Sequence, residues 1–74
     1  MTVEDLMQIT DIMLDVYNEE HDKLFSIRSS EYLEKMNSKC LSCMYKRMIK
    51  NCDIMWIDTT EEGLNVYIVC QMFL

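Results

Sequence analysis

The chain contains no proline, no alanine, a single glycine at Gly63 and only two arginines, at Arg28 and Arg47. Gly and Pro average roughly 7% and 5% of soluble proteins, and alanine is among their commonest residues. Ile, Met, Asn, Asp, Lys and Tyr take their places. The depleted residues have GC-rich codons, so the composition is that of an AT-rich genome. A small self-contained chain from such a genome is expected to come from a phage, a large DNA virus or a low-GC bacterium. One glycine cannot build a Gly-rich phosphate loop.

Further absences narrow the setting. No apolar run approaches the ~18 residues that a membrane span needs. The acidic opening Thr2-Val-Glu-Asp5 is unlike the basic n-region of a secretory leader. The chain is therefore expected to be soluble and cytoplasmic, with its four cysteines as reduced thiols. At 74 residues it forms one domain, and folding a domain of this size buries only about 60% of the surface exposed by the unfolded chain. Half of the residues are hydrophobic, eight of them methionine. A rich core and an apolar interface with a second copy are thus the expected sources of stability.

Val3, Met7, Thr10, Leu14, Tyr17, His21 and Leu24 follow a 4-3-4-3-4-3 spacing, which predicts an amphipathic helix over about 2–25. Thr2 is placed to cap it, with Asp5 three residues on in a variant of the capping box. A second helix is predicted over about 31–50, with Leu33, Met36, Cys40, Leu41, Met44, Tyr45, Met48 and Ile49 on one broad face. Beyond Asn51 the period changes from 3.6 to 2. The segment over about 52–74 reads as a hairpin whose loop, Asp58 to Gly63, ends in a glycine expected to supply positive φ. The fold class is α+β in the order ααββ. Two helices cover one face of a hairpin and leave the other exposed, so a homodimer sharing a sheet or a core is expected.

The stretch Ser38 to Cys52 holds three of the four cysteines and four of the seven basic residues. Cys40 and Cys43, completed by Cys52, Cys70 or His21, form a candidate zinc set. The motif lacks the Gly or Pro that bends a knuckle around a metal, and thiols packed in the core as small hydrophobes are the preferred assignment. No cofactor is expected. A dithiol redox role requires a helix N-terminus at this point, which arises only if Ser38 caps a new helix. His21 falls on the apolar stripe, where a packed histidine is expected rather than a general base, and the chain is expected not to be an enzyme.

Charge is the main functional signal. Residues 1–25 carry seven acids and one base, residues 26–52 six bases and two acids, and residues 53–74 four acids. The total is −6. Complementary rims on two packed helices account for this pattern at small energetic gain. Two functional assignments go further. In the preferred one, Asp11, Asp15, Glu19 and Asp22 form an acidic helical face on a dimeric interaction protein, a viral or phage accessory factor that inhibits or redirects a host protein through its basic surface. In the alternative, Lys39, Lys46, Arg47 and Lys50 grip the phosphate backbone of RNA or DNA. The negative total favours the first, since nucleic-acid-binding domains are usually basic.

Overall fold

The computed structural model describes residues 1–39 and 41–69. Their elements run α1 (Val3–Met7), β1 (Met13–Tyr17), β2 (Lys23–Ile27), a 3-10 turn (Ser29–Glu31), α2 (Tyr32–Asn37), α3 (Cys43–Asn51), β3 (Asp53–Thr59) and β4 (Gly63–Val69). The α+β class holds. The ααββ order is replaced, because a strand hairpin occupies most of the segment predicted as the first helix.

The N-terminus of α1 is built as its residues imply. The Thr2 hydroxyl accepts from the Asp5 N–H while the Asp5 carboxylate accepts from the Thr2 N–H, completing a capping box. These contacts also hold the Asp5 carboxyl below the usual carboxylate range. The helix ends at Met7 rather than near Phe25. Beyond it, Leu14 and Val16 alternate, as do Phe25 and Ile27, and all four are buried. Asn18 then reverses the chain. Its side-chain carbonyl accepts from the N–H groups of Glu20 and Asp22, both at 2.9 Å, and its backbone carbonyl accepts from His21 N–H at 3.1 Å. Side-chain bonds of this kind compete with helix formation. His21 has φ of 66°, a left-handed conformation that histidine adopts more readily than most residues.

The second predicted helix is also divided. Ser38 is extended, with ψ of 164°, and its hydroxyl donates to the Lys35 carbonyl. Ser42 caps α3 by accepting from Tyr45 N–H at 3.2 Å. Leu41, Met48 and Ile49 of the predicted face are buried, whereas Leu33 and Met44 are exposed. The final hairpin stands as expected through Val69, and residues 70–74 lie outside the described residues. No helix among the described residues is long and apolar enough to cross a membrane.

The four strands form one sheet in the order β2-β1-β4-β3. Both hairpins are antiparallel, and β1 pairs with β4 in parallel, from Met13 opposite Gly63 to Tyr17 opposite Tyr67. One face carries Leu14, Val16, Phe25, Ile27, Val66 and Ile68, and packs against Val3, Leu6 and Met7 of α1 and Met48 and Ile49 of α3. Tyr45 reaches across from α3 to Phe25, with ring centroids 5.0 Å apart. The helices all lie on this one face.

Gly63 is needed for a reason other than the expected one. No described glycine has positive φ. Instead, a Cβ at position 63 would lie 2.1 Å from the Met13 carbonyl oxygen on the neighbouring strand. Gly63→Ala is expected to lower unfolding stability by on the order of 3 kcal/mol, because overpacking against backbone has little room to relax. Gly63→Asn should be no better, although asparagine tolerates a left-handed turn. Urea midpoints at unchanged m-value check both.

The Tyr32 hydroxyl donates to the Glu4 carboxylate, tying α2 to α1. Desolvation, followed by the hydrogen bond and the charge of Glu4, pushes the phenol from 10 up to about 12. The fold thus favours the neutral phenol. Its contribution is complete below pH 10 and is lost as the pH rises through about 12. Absorbance titration should show one of the four tyrosines ionising near pH 12. Glu4→Gln should lower that value only partly, since desolvation remains.

Candidate functional site

Strand register places two rows of side chains on the sheet face away from the helices. Lys23, Tyr17, Tyr67 and Trp56 lie opposite one another across the four strands, and beside them lie Ser26, Asp15, Asn65 and Asp58. The first row is mainly aromatic. Tyr17 and Tyr67 stack with centroids 5.1 Å apart at 26°. The turn after β1 leans back over the sheet, so the His21 ring lies 4.8 Å from Tyr67. Trp56 completes the row on the edge strand and is 58% exposed. Met55 beside it is also exposed; Ile57, opposite Val66, is exposed at the edge of the other face. A cluster of exposed large apolar residues rimmed by polar ones marks an interaction surface more often than a solvated one.

An open concavity of about 560 Å³ lies on this face, lined by His21, Met55, Trp56, Asp58 and Tyr67. Three elements converge on it: the turn after β1, the edge strand β3 and the central strand β4. Among the described residues, no hydrogen bond or ion pair is made by the Asp58 carboxylate. Asp15, in the same polar row, is already engaged. It accepts from Ser26 Oγ at 2.5 Å and lies 3.3 Å from Lys23 Nζ.

The four acids expected to form one helical row are dispersed, because the helix that would align them is absent. Asp11 precedes β1 and accepts from Ser29 Oγ and Ser30 N–H, so it ties down the loop ahead of α2. Asp15 lies within β1. Glu19 and Asp22 sit in the turn beyond it, exposed to solvent. The five residues of β1 separate Asp11 from that turn by about 16 Å. Glu19, Glu20 and Asp22 flank His21 in the exposed turn, but of this turn only His21 lines the aromatic concavity.

The basic residues are brought together more closely. Lys46, Arg47 and Lys50 of α3 line a second concavity of about 460 Å³ with Met36, Asn37, Cys43 and Asn51. The Lys46 amine donates to the Ser38 carbonyl at 2.7 Å. Lys39 is exposed in the segment between α2 and α3.

The cysteines do not behave as four packed thiols. Cys43 is free and exposed at the first position of α3, while Cys52 follows its last turn, 2% exposed and disulfide-bonded. Nine helical residues place these two positions about 13 Å apart, and a disulfide sulfur offers no thiolate to zinc. Cys43 and Cys52 therefore do not share a zinc site in this form. Cys40 and Cys70 lie outside the described residues. Among the described residues, no three His, Cys, Asp or Glu side chains group as metal ligands.

Trp56, Tyr67, Tyr17 and Asp58 were not among the residues singled out from the sequence. Alternation groups Trp56 with Ile54 and leaves Asp58 at the start of the loop; the bulge between Ile54 and Trp56 and the extension of β3 to Thr59 bring Trp56 and Asp58 to one face. Tyr17 could join them only once β1 was recognised as a strand. No family model matches the chain, and no curated protein and no solved structure matches it either.

Proposed function

We propose that this chain is a non-enzymatic interaction protein that docks a basic surface of another protein onto the uncovered face of its sheet. One observation carries the reading: the aromatic row Tyr17, Tyr67 and Trp56 is presented on a face that no helix covers, with Trp56 more than half exposed. Tyr, Trp and Met are enriched at protein interfaces, and Trp and Tyr dominate their hot spots. The Asp58 carboxylate borders the row, Glu19, Glu20 and Asp22 flank His21 in the turn, and the chain carries −6 overall. That field repels a phosphate backbone and steers a basic protein surface inward. The AT-rich composition supports an accessory factor of viral or phage origin, which would block or redirect a host protein by occupying its surface.

The same reading includes a homodimer. Met1 and Thr2 pair with the start of β3, where Ile54 N–H donates to the Met1 carbonyl at 2.7 Å and Thr2 bridges Asp53. Among the described residues, β3 from Met55 onward is an unpaired sheet edge bearing exposed Met55, Trp56 and Ile57. It has neither the lysine nor the proline that blunts such edges. Antiparallel pairing of two β3 strands would join the sheets and leave the aromatic faces available. Sedimentation should give twice the chain mass. Met55→Lys with Ile57→Lys should give the monomer, and a monomeric unmodified chain would remove this part of the proposal.

A photoreactive residue at Asn65, on the uncovered face, should cross-link to a protein through a segment rich in Lys or Arg. One at Glu34 on the outer side of α2 should not. Cross-links confined to position 34 would move the interface off the sheet. The concavity at Lys46, Arg47 and Lys50 supports a second reading, nucleic-acid binding. Oligonucleotide affinity that falls steeply with salt and is lost in Arg47→Glu would favour it over the first.

A further inference from the structure

The composition of the concavity specifies the kind of group that fits it. Trp56 and Tyr67 sit opposite each other on neighbouring strands, about 4.8 Å apart in a sheet. Tyr67 is held in place, stacked on Tyr17 at 5.1 Å and covered by His21 at 4.8 Å. Its orientation is therefore set before any ligand arrives. Asp58 follows Trp56 by two residues on the same side of β3, about 7 Å along the strand. The result is one exposed indole at Trp56 with the packed Tyr67 ring beside it, a polarisable Met55 sulfur, and one carboxylate with no protein partner among the described residues.

A neutral apolar side chain would use the rings but would leave the carboxylate to be desolvated without compensation. An anion would be repelled by Asp58 and by the exposed Glu19, Glu20 and Asp22 nearby. A cation satisfies both parts of the site. Ring faces attract it through their quadrupoles, most strongly at Trp, and the carboxylate takes its hydrogen bonds. Among the cations that a protein presents, guanidinium suits this geometry best. It is planar, stacks on aromatic faces, and directs its N–H donors sideways in the plane, toward an acceptor at the edge of the stack.

We propose that the concavity between His21, Tyr67 and Trp56 receives an arginine side chain of the partner protein, stacked on the exposed Trp56 beside Tyr67 and paired with Asp58. This assignment rests on the uncovered face being the binding surface, and it names the partner residue that anchors there.

Trp56 is the only tryptophan, so its indole N–H gives a single resonance that reports on the site. The probe is the capped tripeptide Gly-Arg-Gly, titrated into the ¹⁵N-labelled protein, with the citrulline peptide as a neutral match in shape. The arginine peptide should move the Trp56 resonance saturably, with Kd on the order of 1 mM for so small a probe. The citrulline peptide should bind at least about five-fold more weakly. Asp58→Asn should weaken the arginine peptide about three- to five-fold, the range of an exposed carboxylate contact. Glu61→Gln, in the turn after β3, should leave its affinity unchanged.

Equal binding of the two peptides would overturn the assignment, as would the absence of saturation. Equal weakening by Asp58→Asn and Glu61→Gln would also overturn it, since general charge would then suffice. The titration requires no partner, so the two readings fail separately. Cross-linking from position 65 without peptide binding removes only the arginine. Peptide binding without cross-linking removes the partner surface.

Discussion

The parallel ladder between β1 and β4 is the contact on which the rest of the structure depends. It joins two antiparallel hairpins that lie on opposite sides of the helical segment in the sequence, and five residue pairs form it. A two-stranded hairpin is marginal alone. Joining two through their inner strands gives a four-stranded sheet broad enough to pack α1 and α3 on one side. The same join aligns Tyr17 with Tyr67, and hence the aromatic row with Trp56. The tight passage at Gly63 follows from it too, because the ladder brings the Met13 carbonyl where a side chain would otherwise stand.

The helices decide which face remains uncovered. Val3, Leu6 and Met7 from α1, and Met48 and Ile49 from α3, meet the side of the sheet bearing Leu14, Val16, Val66 and Ile68. α2 contributes half-buried Tyr32 and Met36 at the margin and has no fully buried residue. All of the helical cover is used on one face. Among the described residues the opposite face carries its own side chains and His21 from the turn after β1, whose stacking supplies local order and leaves Trp56 exposed. A surface of this composition is well suited to binding, since much of its rigidity exists before a partner is met.

Parts of this arrangement were legible in the residues alone. The capping box at Thr2 and Asp5 follows from local chemistry and stands as expected. So does the alternation of β4, whose partners are close in the chain, whereas a bulge between Ile54 and Trp56 puts these two residues of β3 on opposite faces. Over 13–27 two periods coincide, and the chain adopts the shorter one. Leu14, Tyr17, His21 and Leu24 fit a helical stripe, while Leu14 and Val16, then Phe25 and Ile27, fit strands. Asn18 resolves the conflict through side-chain bonds to the turn, a signal hidden among the acids that follow it. The dispersal of Asp11, Asp15, Glu19 and Asp22 is a direct result of that turn. The need for glycine at 63 was legible, but its cause was not, since it lies in a strand paired across 50 residues of sequence.

The break between α2 and α3 has a consequence for how the molecule can be divided. Ser38 leaves the helical conformation and Ser42 starts a new helix, so the serines bound a natural seam in the chain. On one side lie α1, the first hairpin and α2; on the other lie α3 and the second hairpin. Each part has its own apolar face, and each contributes one inner strand to the central ladder. A cut at this seam interrupts no described strand, and leaves one inner strand of the central ladder on each side of it.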